Sequence, residues 1–185
     1  MPNSNRIHSM TRLAWASVCV AALSLTACTE TPIKQTEAES CTVLNGLITD
    51  HANQFSSYKK GGQTQGRRLS IWPAEKAFPS ADKCQVWEWG AAKYSYVCEW
   101  RLGDDENQAM SNFQQANNIA ENCLGAAWTP ETKTTASGGK QTLYSTTNND
   151  TVVSVRYFKE GNSLLNRWHN TVIIGDRNNL NPPAQ

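Results

Sequence analysis

No apolar run in the 185 residues approaches the roughly 20 that a membrane-spanning helix needs. The longest, Leu13 to Leu25, spans 13 residues. Histidine is scarce, with only His8, His51 and His169, and no Cys-x-x-Cys or Gly-x-Ser-x-Gly occurs anywhere. A cysteine-based zinc site and an elbow-type serine hydrolase are therefore not expected. Neither sign of charge dominates, with 17 basic residues against 16 acidic, so the chain lacks the basic footprint of a nucleic-acid binder. No metal or cofactor is expected.

What is present begins with a leader. The first twelve residues carry Arg6 and Arg12 and no acid, and the Leu13–Leu25 run follows them. A positive n-region and an h-region of 7–15 residues are the parts of a secretory signal. Met10 would serve as a second start without changing that pattern. Of the 17 basic residues two leave with the leader and no acid does, so 15 remain against 16 acidic.

The tetrad Leu25-Thr26-Ala27-Cys28 resembles the lipobox of bacterial lipoproteins. The resemblance implies that residues 1–27 are cut away and that Cys28 becomes the lipidated first residue. One acyl chain holds a protein only marginally at a membrane, whereas the two or three typical of this family would anchor it stably. Thr29 stands where an aspartate would imply inner-membrane retention, so the resemblance points to the outer membrane, facing the periplasm.

Cys19 is discarded with the leader, leaving Cys41, Cys84, Cys98 and Cys123 beyond Cys28. Four cysteines in an oxidising compartment imply two disulfides with three possible connectivities. Residues 28–40 include "TETPIKQTEAES", a polar, aperiodic stretch expected to be a flexible linker. Residues 41–178 are long enough for one domain with a sizeable core. The last segment, 179–185, "LNPPAQ" with Asn179 before it, is expected to be a loose tail.

Within the domain, Leu44, Leu47, Ile48, Phe55 and Tyr58 form a helical stripe, and Met110, Phe113, Ala116, Ala120, Cys123 and Leu124 form a second. Asp104, Asp105 and Glu106 open the second helix, where capping suits them, and Gly125 ends it. Between the helices "RLSIWPA" predicts a strand and "CQVWEWGAAKYSYVCEWRL" a hairpin. A three-residue loop at Gly90-Ala91-Ala92 sets Cys84 opposite Cys98 and Val86 opposite Tyr96, a geometry a cross-strand disulfide accepts. Cys41 is then left with Cys123, provided the helices run antiparallel. Three further strand-like runs, "KQTLYSTT", "TVVSVRYFK" and "LNRWHNTVIIGD", follow the second helix. The expected class is α+β: antiparallel sheet packed on two helices in the order α-βββ-α-βββ, compatible with a structural duplication.

Chemistry-bearing residues are sparse. Gly61 to Gly66 imitates the frame of a phosphate loop, but Arg67-Arg68 stand where Lys-Ser/Thr is required and no strand precedes it. Lys59, Lys60, Arg67 and Arg68 remain as a basic loop that could contact an acidic partner. His51 falls beside the first apolar stripe, and His169 on a strand parity expected to be exposed. Glu88 and Glu99 project from opposite faces of the hairpin and cannot act as a pair. Trp87 and Trp89 point away from the face bearing Cys84 and Val86; they are either a recognition patch or covered by a second layer. These features imply a non-catalytic domain that binds a protein partner, as an immunity-type inhibitor or an accessory subunit of an envelope assembly. A peptidoglycan- or polysaccharide-binding module resting on Trp87 and Trp89 is the alternative, and an enzyme whose site assembles from scattered residues is the less favoured one.

Overall fold

The computed structural model describes residues 36–66, 69–79, 81–90, 92–160, 167–177 and 180. The leader, the lipobox and Cys28 lie outside the described residues, as do Arg67 and Arg68.

Helix α1 spans Glu37–Asp50 and α2 spans Glu106–Leu124. The strands are β1 Thr64–Gln65, β2 Leu69–Pro73, β3 Lys83–Trp89, β4 Lys93–Arg101, β5 Thr129–Thr134, β6 Lys140–Ser145, β7 Thr151–Lys159 and β8 Trp168–Asp176. All eight join one antiparallel sheet in the order β1-β2-β3-β4-β8-β7-β6-β5. Each helix thus precedes four strands rather than three, and sheet outweighs helix, so the α+β description holds only in outline.

Helix α1 starts earlier than its apolar stripe suggests. Thr36 accepts from the Glu39 backbone N–H while Glu39 accepts from that of Thr36, a capping box that closes two otherwise orphaned donors. Residues 37–40, assigned above to the linker, therefore belong to the helix. It ends at Asp50, and a short 3-10 turn follows with Gln54 and Phe55 both at positive φ. That reversal drops Phe55 into the core and returns Tyr58 over α1, where Gly46 leaves the room a Cβ would take from the Tyr58 hydroxyl. The Asp50 carboxylate fixes the reversal by accepting from the Ser57 N–H at 2.9 Å.

In α2, Asp105 caps by accepting from the Gln108 N–H at 3.0 Å, and Gly125 stops the helix at φ +70°. The buried stripe runs through Ala109, Phe113, Ala116, Asn117, Ala120 and Leu124. Met110, expected on that face, is exposed, because the stripe is centred one residue earlier. Asn117 is tied to the sheet by the Tyr144 hydroxyl, which donates to its Oδ1 at 2.8 Å.

Both helices cover one face of the sheet, burying Val86, Tyr96, Cys98, Val153, Val155, Val172 and Ile174 with Leu44, Leu47 and Phe113. Full burial of one such side chain stabilises the fold by about 1.5–3 kcal/mol. The hairpin has the expected register, with Cys84 opposite Cys98, Val86 opposite Tyr96 and Trp89 opposite Lys93. The disulfides are Cys84–Cys98 and Cys41–Cys123. The second joins the N-terminal part of α1 to the last turn of α2. On the other face of the sheet Val97, Val152 and Ile173 form a smaller cluster with Leu180. Leu180 is only 3% exposed; the rest of the segment 179–185 lies outside the described residues.

Candidate functional site

Alternation along β3 places Gln85, Trp87 and Trp89 on the face away from the helices. The two indole rings lie 5.3 Å apart at 67°, an edge-to-face pair. The indole N–H of Trp87 donates to Gln85 Oε1 at 3.2 Å, and the Trp87 ring packs against the Val97, Val152, Ile173 and Leu180 cluster. Both tryptophans are half-buried: Trp87 packs on this second, thin apolar layer, Trp89 meets Trp87 edge-to-face, and part of each residue stays exposed. Beside the indoles, Trp89 Nε1 and Ser95 Oγ are shielded without a protein hydrogen-bond partner among the described residues. Ser95 stands opposite Trp87 in the β3–β4 ladder.

Of the basic residues, Lys59 and Lys60 are engaged with neighbouring groups, while Arg67 and Arg68 lie outside the described residues. The ammonium of Lys59 sits over two rings, 4.2 Å from Trp72 and 4.5 Å from Tyr94. Burial lowers its pKa while the Glu88 carboxylate nearby pulls it back up. Lys60 pairs with Glu75 at 3.4 Å on the surface. Lys59 also bridges to Ala74 through its backbone, and β1 pairs with β2. The segment from Lys59 to Gln65 is thus an edge of the sheet.

Glu88 and Glu99 do face opposite ways, Glu88 beside Tyr94 on the helix side and Glu99 paired with Lys83 at 3.0 Å on the other. His51 lies between three partners. Its Nδ1 is 2.7 Å from Thr151 Oγ1, its Nε2 is 3.7 Å from Asp176 Oδ2, and its ring stacks on Phe55 at 5.3 Å. An acid, an imidazole and a hydroxyl in sequence have the composition of a nucleophilic relay. Thr151, however, is only 6% exposed, and the imidazole joins the end of α1 to the paired strands β7 and β8. The geometry is that of a tie. His169 is not exposed as expected; it stacks on Phe158 at 5.6 Å with Nε2 3.4 Å from Glu160 Oε2. On the same face the guanidinium of Arg156 lies over Phe158 at 4.6 Å and its Nε donates to Thr171 at 2.8 Å. Burial lowers the Arg156 pKa.

Among the described residues no three His, Cys, Asp or Glu side chains are grouped to hold a metal ion, and no helix is long and apolar enough to cross a membrane. No known protein-family model, no curated protein and no solved structure matches the chain.

Sequence reasoning missed one constellation. Lys93, Asp150, Asp176 and Arg177 share a cavity although they come from three separate stretches of chain. No spacing in the sequence could have signalled it, because only the strand order brings those stretches together.

Proposed function

We propose that this chain is a lipid-tethered protein of the bacterial outer membrane, facing the periplasm, whose folded domain binds another protein without catalysis. The anchor rests on the lipobox-like tetrad ending at Cys28. The observation that carries the binding reading is the Trp87–Trp89 pair, half-buried and edge-to-face on the side of the sheet away from the two described helices. Tryptophan is enriched where protein interfaces concentrate their energy, in pockets already partly desolvated. An immunity-type inhibitor and an accessory subunit of an envelope assembly would both use such a patch.

The angle between the rings favours a protein over a glycan. A sugar stacks on a flat aromatic surface, and rings at 67° do not share one. Lys59 is engaged over Trp72 and Tyr94, on the sheet face opposite the tryptophan pair, and Lys60 with Glu75, so the patch rests on the tryptophans. The repeated order of a helix followed by four strands supports a structural duplication, with each half supplying one flank of the sheet.

The test uses the full chain in detergent as bait for envelope extracts, beside Trp87→Phe and Trp89→Ala variants whose thermal midpoints are checked first. A protein retained by the native chain and lost with either folded variant is the expected result. Equal retention by all three would sink the role given to the tryptophans, and capture of cell-wall fragments alone would hand the site to the glycan reading. Metabolic labelling with a fatty acid, abolished by Cys28→Ser, checks the anchor independently.

A further inference from the structure

A cavity of about 300 Å³ opens where β4 begins, β8 ends and the turn between β6 and β7 crosses them. Its walls carry Lys93, Asn149, Asp150, Asp176 and Arg177, with Thr146 beside them. Two basic and two acidic residues therefore line one small, partly open space, with Asp150 and Arg177 exposed at its mouth. Among the described residues no ion pair engages Lys93, Arg177 or Asp150, whereas Asp176 already stands 3.7 Å from His51.

The two cations are brought together by the ladder itself. Ser95 pairs with Gly175, and two residues beyond that pair, on the same parity, lie Lys93 and Arg177. Like charges set opposite each other across strands repel. An anion between them turns the repulsion into two charge-assisted contacts. A simple multivalent anion fits poorly, because Asp150 and Asp176 would repel it. A simple cation meets the same difficulty from Lys93 and Arg177. Only a ligand carrying both signs satisfies both walls. The volume corresponds to roughly ten water molecules at about 30 Å³ each, room for something between an amino acid and a dipeptide.

We propose that this cavity binds a small zwitterion, its carboxylate between Lys93 and Arg177 and its ammonium on Asp150. The site does not depend on the partner-binding reading, since neither Trp87 nor Trp89 lines it.

Calorimetry of the full chain in detergent tests this with three probes. Glycylglycine carries both charges, N-acetylglycylglycine lacks the ammonium and glycylglycinamide lacks the carboxylate. Glycylglycine is expected to bind, and each capped form to bind about tenfold more weakly or worse, the scale of one lost charged hydrogen bond. Lys93→Met, Arg177→Met and Asp150→Asn should each weaken glycylglycine by a similar factor with the thermal midpoint unchanged. Absence of saturable binding at millimolar glycylglycine overturns the proposal. So does equal binding of the N-acetyl form, which would make this an anion site. Should a variant fail to fold, the comparison of probes on the native chain still decides.

Discussion

Breaking the Cys41–Cys123 bridge should remove a large part of the stability of this domain, and should do so through the unfolded state. The bridge spans 82 residues of sequence. By the loop-entropy relation, closing such a loop restricts the unfolded chain by about 4.5 kcal/mol at 25 °C, against about 3 kcal/mol for a 14-residue loop. The Cys84–Cys98 loop, with its separation of 14, is nested inside the larger one and shortens its free contour. The dependence is logarithmic, so that correction is only about 0.2 kcal/mol. A whole domain is stable by about 5–15 kcal/mol, so the Cys41→Ala/Cys123→Ala variant should lose a third of it or more. Urea unfolding followed by tryptophan fluorescence provides the assay. Besides the fall in midpoint, the slope of free energy against urea should steepen, because an uncrosslinked unfolded chain exposes more surface. Cys84→Ala/Cys98→Ala should differ in kind: a smaller loop term, a smaller change in slope, and about 1 kcal/mol from emptying sulfur sites that are 3% and 0% exposed. A loss under about 2 kcal/mol with an unchanged slope in the outer variant would refute the reasoning.

Two further perturbations follow from the packing. All five tyrosines have hydroxyl pKa values raised above the ordinary value, burial being the first cause in each, with Tyr96 and Tyr144 the most strongly shifted. A folded pKa above the unfolded one near 10 means that stability is intact below about pH 10 and falls as pH rises through it. Each of the two most buried hydroxyls contributes about 1.4 kcal/mol per pH unit beyond that point, so urea midpoints should drop steeply between about pH 10 and 11, and a flat profile would contradict the burial of these groups. Gly175→Ala should cost about 1–3 kcal/mol through overpacking, since its Cβ would meet the Tyr94 carbonyl oxygen at 2.6 Å in the central ladder. Gly90→Ala, with nothing within 4 Å of the added carbon, should stay within about 0.5 kcal/mol; similar losses at both positions would show that backbone entropy rather than contact governs these glycines.

The hairpin was legible because its loop and its alternation agree. Once Gly90 to Ala92 close the turn, each aromatic of β4 has a determined partner, and the disulfide follows. Edge strands were not legible. Strand β5 reads "TPETKT" and is exposed along its whole length, so no apolar period marks it, and β1 is two polar residues. The start of α1 was hidden for a related reason: Thr36 and Glu39 carry the boundary by hydrogen bonds, in a stretch with too little apolar content to look helical. Trp87 and Trp89 could be assigned to a face from parity. Their half-buried state could not, because the residue that packs over that layer, Leu180, comes from a segment whose local composition says tail. The mixed-charge cavity is the extreme case, since its residues become neighbours only when β4 and β8 meet at the middle of the sheet.

That meeting line also divides the chain in two. Among the described residues, the strands before α2 build the flank from β1 to β4 and those after it the flank from β5 to β8, with the polypeptide crossing between them at Leu102 to Asp105. Cys41 belongs to the first half and Cys123 to the second. A protease that severs the backbone at the crossing therefore does not release either half: the fragments remain one covalent molecule, held together by sulfur and re-zipped along the β4–β8 ladder. For a protein read as working outside the cytoplasm, where damaged chains cannot be resynthesised in place, such a joint makes one cut survivable.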